Sequence, residues 1–246
     1  VEDVYEAINE HLLEQPVDLV NYSVFFNEPN IDPDHAVIVF FILREGVDAV
    51  EMQYIKPFTT LGPVATQAGK GTYQDITKWT GLSNDAPPCQ KANLSNVRFP
   101  VDIQKYNRTA QRSAIDIFSR VTRENPALNQ SFCMFEGYSL QGVREIPAES
   151  TSFPPREAKL LIAPVVVYEG SGSTRDEEAR EFGESLRDVI FQGSEQEKLY
   201  AYVNYAYGYE TPESMYGYEP WRLEQLRQLK AKYDPNNRFS FYAPFT

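Results

Sequence analysis

Five tyrosines surround a single asparagine in the stretch YAYVNYAYGY, at positions 200–209. They are Tyr200, Tyr202, Tyr205, Tyr207 and Tyr209, and Asn204 lies between the second and the third. So many phenols exceed what a loop needs and are unusual for a core strand. A phenol has a pKa of about 10, so it acts as a base near neutral pH only beside a positive charge or a group that donates a hydrogen bond to its anion.

A regular strand would not bring these groups to one place. Side chains alternate along a strand, so Tyr202 and Asn204 would face one side and Tyr205 the other. We therefore expect the backbone to be irregular here, or its two faces to serve different roles. Tyr200, Tyr207 and Tyr209 are more readily explained as packing.

Four runs of apolar and β-branched residues predict the strands that must position this stretch: 19–26, 35–43, 130–136 and 158–168. The first two should form an antiparallel pair, because the NEPNIDPD between them is a turn rich in Asn, Pro and Asp. Pro164, inside the fourth run, favours an edge position or a bulge for that strand.

Helices are predicted between and after these strand pairs. In one of them four residues recur at helical spacing, Tyr106, Ala110, Ile117 and Val121, and Asn125 with Pro126 stops the helix. Thr174 and Glu177 match a capping box for a helix that runs to about residue 191. Further helices are predicted at 1–15, 47–57, 73–79 and 219–232. This order predicts an α+β fold with a mostly antiparallel sheet covered by helices on one face.

Composition excludes several classes of function. The 246 residues are 42% hydrophobic and carry a net charge of −12, so a folded chain is expected and polyanions would be repelled. Nucleic acid and anionic membranes are therefore poor partners, and the longest apolar run, 36–43, is too short to span a bilayer. With only His11 and His35 and no G-x-S-x-G or H-E-x-x-H, neither a hydrolase triad nor a zinc site is expected.

Four glycosylation sequons exceed the number expected by chance and favour a secreted glycoprotein. They begin at Asn21, Asn93, Asn107 and Asn129, and all four side chains should then lie on the surface. In that setting a disulfide between Cys89 and Cys133 is an open alternative, which their spacing alone does not decide.

The tail resembles the carboxy-terminal segment of the berberine bridge enzyme-like flavin oxidases, in the vanillyl-alcohol oxidase superfamily, and is most similar to fungal members. The resemblance covers residues 202–245, with a Y-x-N-Y element at 202–205 and a closing K-Y-D-P-x-x-x-F at 232–239. A weaker match is REIPAESTSFPPR, 144–156, similar to a family stretch that ends in F-P-H-R, with Pro155 in place of the His.

The resemblance implies a substrate domain at 1–200, a berberine-bridge-type segment at 201–246, and FAD bound mainly by an amino-terminal domain that is absent from this chain and would be its partner. It implies an oxidase that moves a hydride from an alcohol, sugar or secondary metabolite to the flavin, with oxygen as the final acceptor and hydrogen peroxide as product. By the Y-x-N-Y element, Tyr205 is the catalytic base, Asn204 binds the flavin, and Tyr202, the second catalytic candidate, lines the pocket.

Other residues depart from the family pattern or have open roles. Plant members can carry a catalytic acidic or polar residue on the strand after F-P-H-R, but that strand reads LLIAPVVV here, which shifts proton transfer to Tyr205. Glu136, Tyr138 and Gln141 are candidates to contact substrate or merely end a strand. Arg156 is either an ion-pair partner or an anchor near the flavin. The alternative function is a catalytically silent, aromatic-rich module that binds carbohydrate or a protein.

Overall fold

The long apolar runs of the chain become strands of one antiparallel sheet, as expected. The computed structural model describes residues 1–86, 89–90, 93–154, 156–170 and 172–245. Within them the strands are β1 (Leu19–Phe26), β2 (Val37–Arg44), β3 (Leu94–Arg98), β4 (Val101–Ile103), β5 (Phe132–Gly137) and β6 (Leu160–Glu169). Their order is β2-β1-β5-β6-β3, and β4 also pairs with β6.

The helices follow the predicted order, with shifted ends. The described α-helices are α1 (Glu2–His11), α2 (Met52–Thr59), α3 (Ile76–Trp79), α4 (Arg108–Glu124), α5 (Gln141–Glu145), α6 (Ser173–Gly193), α7 (Pro212–Tyr216) and α8 (Pro220–Tyr233). Asn107 caps α4 by accepting a hydrogen bond from the backbone N–H of Ala110. The last helix ends at Tyr233, as the following DPNN predicts.

The main core lies between the sheet and the helices α1, α4 and α6. Its side chains interlock as aromatic pairs, for example Phe25 of β1 with Phe118 of α4 at a ring-centroid distance of 5.0 Å. Fully or almost fully buried members include Tyr5, Ile8, Ile115, Phe135, Val166, Phe182 and Leu186. The expectation of a sheet covered by helices on one face is confirmed.

The opposite side of the sheet, here called the open face, faces away from α1, α4 and α6. A second apolar cluster lies on it, made of Tyr22, Met134, Ala163, Val165 and Val167, with Tyr205 of the tail packed against it. The tail therefore reaches the face that the helices leave uncovered.

The expected edge position of β6 is wrong. This strand is internal, paired with β5 on one side and with β3 and β4 on the other. Pro164 is tolerated because it lies opposite the break between β3 and β4, where its carbonyl accepts a hydrogen bond from Phe99 N–H at 3.0 Å. The sequence did not predict β3 and β4.

One detail of the predicted helices is also wrong, and a second is made more specific. The helix α6 begins at Ser173 with Gly172 as its N-cap, so Thr174 lies inside the helix and forms no capping box. Glu177 instead pairs with Arg180 one turn on. In α4, Ile117 and Val121 are only partly buried, because the buried stripe runs through Ala110, Ala114, Ile115 and Phe118.

The cysteines and one sequon also differ from expectation. Cys133 is buried in β5 and Cys89 is exposed, and both are free thiols. Asn21 is only 2% exposed within β1, so the expectation of a surface position fails there. Asn93 and Asn129 are exposed and Asn107 is half-buried. None of the described helices combines the length and apolar character needed to cross a bilayer.

Candidate functional site

The tyrosine-rich segment is irregular, as its sequence predicted. The carbonyl of Tyr200 accepts a hydrogen bond from Asp102 N–H of β4 at 3.0 Å, which aligns the segment with the sheet edge. A single 3₁₀ turn, Val203–Tyr205, follows directly. This turn changes the direction of the side chains and allows Tyr205 to reach the open face.

Tyr205 meets Glu136 on that face. Its hydroxyl donates a hydrogen bond to Glu136 Oε1 at 3.1 Å, although 69 positions separate the two residues in the chain. Burial raises the pKa of Tyr205 and the nearby Glu136 carboxylate raises it further, while the charge of Arg98 opposes this shift without reversing it. The environment therefore favours the protonated phenol, which is the opposite of what a resident tyrosinate base requires.

Glu136 is 4% exposed and ends its strand among apolar neighbours. Burial raises the pKa of its carboxyl group, while hydrogen bonds from Tyr205 and Tyr138 and the charge of Arg98 oppose that shift. A carboxyl group with a raised pKa is a stronger proton acceptor, once ionised, than an ordinary surface glutamate.

A second buried carboxyl group lies in the same row of the sheet. Asp102 is directly opposite Leu161, which is directly opposite Glu136. Directly opposite residues of antiparallel strands place their side chains on one face. Asp102 is 5% exposed. Burial, and to a smaller extent the charge of Glu136, raises the pKa of Asp102 to about 7.

Tyr202 and Asn204 lie beside Tyr205. The Asn204 side-chain amide donates a hydrogen bond to the Tyr202 hydroxyl at 2.7 Å, and the rings of Tyr202 and Tyr205 meet edge to face at 5.2 Å. Asn204 itself is exposed. The three residues that the Y-x-N-Y element singles out are thus in mutual contact, with a carboxamide at the outside of the cluster.

Of the three predicted substrate contacts, Glu136 and Tyr138 lie close together, and Tyr138 also lines the cavity that Gln141 lines. Glu136 is bonded to Tyr205, and Tyr138 is close enough that Glu136 raises its pKa, after burial as the larger cause. Gln141 instead donates a hydrogen bond to Glu145 within α5. It lines a cavity beside the end of α1, whose lining includes neither Tyr205 nor Glu136. A substrate-binding role for these residues stays a prediction.

The outer tyrosines pack, as expected. Tyr200 meets the ring of Tyr218 edge to face at 5.4 Å, and Tyr207 packs on Phe99 at 5.0 Å. Tyr207 and Tyr209 lie against each other at 5.0 Å. These contacts hold the irregular segment against its surroundings on both sides of the Tyr202–Tyr205 cluster.

One residue of the site has no sequence signal. Arg98, at the end of β3, places its guanidinium carbon 5.5 Å from the centre of the Tyr205 ring. A single arginine in a short polar strand matches no motif, so sequence reasoning missed it.

The region of the weaker family match is tied to the tail. Arg222 of α8 is 3% exposed and donates hydrogen bonds to the carbonyls of Ala148 and Thr151, at 3.1 and 2.6 Å. Arg156 also bonds in this region, to the carbonyl of Val143 and the hydroxyl of Thr151, and forms no ion pair with a described residue. Pro155 lies outside the described residues.

Comparison with known proteins gives the family of the chain. A family model described as "Berberine and berberine like" matches residues 201–244. The chain is 42% identical to FAD-linked oxidoreductase chry5 of Gibberella zeae, over 99% of this chain and 49% of that protein. The chain belongs to the berberine bridge enzyme-like family. FAD-linked oxidoreductase chyH of Penicillium rubens is 43% identical, over 99% of this chain and 49% of its own length.

Solved structures agree on the fold of this berberine bridge enzyme-like chain. Berberine bridge enzyme from Eschscholzia californica superposes with a TM-score of 0.69 at 15% identity, over 99% of this chain and 52% of that one. 6-Hydroxy-D-nicotine oxidase from Arthrobacter nicotinovorans gives a TM-score of 0.66 at 19% identity, over 100% of this chain and 50% of that one. The chain spans about half the length of the relatives it matches.

The residues of this family member fit a flavin. The exposed Asn204 carboxamide offers both a donor and an acceptor, which suits a ring edge that presents both. Aromatic side chains on the outside of the tail are strongly exposed, among them Phe239 at 80% and Phe241 at 99%. In the described residues no cluster of His, Cys, Asp and Glu could hold a metal ion.

Proposed function

We propose that this chain is the substrate-binding part of an FAD-dependent oxidase that removes a hydride from an alcohol, sugar or secondary metabolite. The observation that carries the proposal is the hydrogen bond from Tyr205 to Glu136, at 3.1 Å, on the open face of the sheet. The names of the relatives, FAD-linked oxidoreductases, support the cofactor. A tyrosine that is hydrogen-bonded to a buried carboxylate can transfer a proton. Oxidation of a hydroxyl group requires such a proton transfer.

Tyr205 and Glu136 act as a relay. A substrate hydroxyl that donates to Tyr205 Oη loses its proton to that oxygen, while Tyr205 passes its own proton to Glu136 Oε1. The raised pKa of Tyr205 keeps the phenol protonated before the reaction, and the raised pKa of Glu136 makes its carboxylate a stronger proton acceptor. The resemblance assigned the base to Tyr205 alone. The geometry favours Glu136 as the final acceptor.

Bound FAD supplies the acceptor for the hydride that leaves the carbon bearing the hydroxyl. Asn204 would hydrogen-bond at the flavin, and Tyr202 accepts from Asn204 and packs on Tyr205. Tyr202 therefore couples the orientation of the cofactor-binding amide to that of the proton-transferring phenol. Reoxidation by oxygen, with release of hydrogen peroxide, completes the proposed cycle.

The proposed partner of this chain is an amino-terminal FAD-binding domain. Relatives are about twice as long, and the open face together with the exposed tail aromatics offers the surface to be covered. Residues 1–246 expressed alone should therefore associate or aggregate. Analytical ultracentrifugation and thermal melting decide this point, because a cooperative, monomeric chain would contradict a missing docking partner.

The full-length protein tests the function directly. It should be yellow, lose its flavin absorbance when a hydroxyl substrate is added without oxygen, and release hydrogen peroxide when oxygen returns. A colourless protein that binds carbohydrate or another protein would instead support the silent binding module. Glu136→Gln should retain the colour and lose most of the reduction rate.

For location we propose the secretory pathway. The support is limited to the sequons that the structure leaves accessible, at Asn93 and Asn129 on the surface and Asn107 at the start of α4. Asn21 is excluded from that role by its burial.

A further inference from the structure

Arg98 places a positive charge on the open face. It lies directly opposite Val165 in the pairing of β3 with β6. Val165 belongs to the apolar cluster of the open face, and directly opposite residues share a face, so the side chain of Arg98 lies there too. Its guanidinium carbon is 5.5 Å from the centre of the Tyr205 ring. It therefore stands beside the proton relay.

This guanidinium lacks the pairing that arginines of this chain normally have. No described acid lies within 4 Å of it, although the chain carries 35 acidic residues against 23 basic ones, and Arg44, Arg112 and Arg180 all form ion pairs. The Nε atom of Arg98 is shielded from solvent and has no hydrogen-bond partner among the described residues. A charged guanidinium whose shielded N–H has no partner is held there at a cost in free energy, and an acidic oxygen bound at its terminal nitrogens would offset that cost.

Glu136, the neighbouring acid, does not serve as the ion-pair partner of Arg98. Glu136 senses the charge of Arg98, which opposes the upward shift of its pKa, but their distance exceeds that of an ion pair. One Glu136 oxygen is already engaged by the Tyr205 hydroxyl. The charge of Arg98 also acts to lower the pKa of two phenols, Tyr205 and Tyr242. Neither phenol is an anion near neutral pH.

We propose that Arg98 determines substrate specificity by binding an acidic oxygen group, a carboxylate or phenolate, on the substrate. The inference rests on the proposed oxidase function and names the substrate class of the same site. The guanidinium offers several N–H groups in one plane, which matches the two oxygens of a carboxylate. With the guanidinium against the Tyr205 ring, one aromatic ring can bridge Arg98 and the hydroxyl of Tyr205. The substrate is then an aromatic acid or phenol whose oxidised carbon lies on the opposite side of the ring.

Benzoate and its neutral analogue benzamide test this inference in the full-length, flavin-containing protein. Calorimetric titration should give benzoate at least about tenfold tighter binding than benzamide, from the contribution of a charge-assisted hydrogen bond. Arg98→Gln should remove that preference, and Arg98→Lys should retain part of it. Arg175→Gln is the matched control, because Arg175 is exposed on α6, at the opposite side of the sheet.

Two results overturn the inference. Equal affinities for benzoate and benzamide in the parent protein would show that no anion site exists. A preference that survives in Arg98→Gln would place the anion elsewhere. If the ligand-free flavin spectrum and potential of that variant also shift, Arg98 contacts the flavin instead. A protein that prefers benzoate through Arg98 yet never reduces its flavin would contradict the oxidase proposal and leave the anion site standing.

Discussion

Replacing Asp102 by Asn should stabilise the protein increasingly as the pH rises from 5 to 8. Asp102 is 5% exposed. Burial, with Glu136 as the second cause, raises its pKa from 3.8 to about 7. Asparagine has nearly the same shape and never ionises, so it removes the titration and preserves the packing.

The sign follows from the direction of the shift. Because the folded-state pKa lies above the unfolded one, Asp102 holds a proton in the folded state that the unfolded chain releases. Its favourable contribution is complete at low pH and is lost as the pH rises towards the folded pKa. Each pH unit between these values is worth about 1.4 kcal/mol, so the loss from pH 5 to about pH 7 is about 3 kcal/mol.

Thermal unfolding of the full-length protein measures this effect. In a domain of this size 1 kcal/mol corresponds to about 2–4 °C in Tm. The Tm advantage of Asp102→Asn over the parent should therefore grow by roughly 6–12 °C between pH 5 and pH 8. Asp116→Asn, at an exposed position of α4, should show no such trend. An Asp102→Asn advantage that is constant with pH would refute a raised pKa for the buried Asp102.

Other changes test the tail and the surface. Arg222→Met leaves the carbonyls of Ala148 and Thr151 without their donor, so it should cost about 2–4 kcal/mol and expose α8 to limited proteolysis; unchanged cleavage would contradict the tether. In material secreted from a eukaryotic host, peptide mass spectrometry should find glycan on Asn129 and none on Asn21, and a glycan on Asn21 would contradict the pairing of β1 with both neighbours.

Local signals predicted the elements that are long or sharply ended. The pair β1 and β2 follows from two apolar runs and a polar turn, and α8 ends where the sequence DPNN begins. The strands β3 and β4 were missed because each is short and Phe99 and Pro100 break them apart. An edge position was wrongly expected for β6 because that expectation rested only on the N–H group that Pro164 lacks. Here its carbonyl still bonds to Phe99, and the neighbouring strand is interrupted at that point.

The sequence predicted which residues belong to the candidate site but not how they are arranged in space. The family resemblance singled out Tyr202, Asn204 and Tyr205, and the irregular backbone between them was expected from strand alternation. The partnership of Tyr205 with Glu136 depends on the register of β5 within the sheet and on a 3₁₀ turn in the tail. Neither can be read from local sequence. The same holds for Arg98, whose position beside Tyr205 depends on the pairing of β3 with β6.

The relay between Tyr205 and Glu136 is tested most directly by anaerobic stopped-flow reduction of the flavin, measured from low to neutral pH in the full-length protein. The parent rate should fall as the pH drops through the raised pKa of Glu136, because the protonated carboxyl group accepts no proton. Tyr205→Phe and Glu136→Gln should each bind flavin and reduce it roughly 10²–10⁴-fold more slowly, and Glu136→Gln should lose the acidic limb. Tyr207→Phe, whose ring only packs, should behave as the parent. Parent-like reduction by both Tyr205→Phe and Glu136→Gln would contradict the relay.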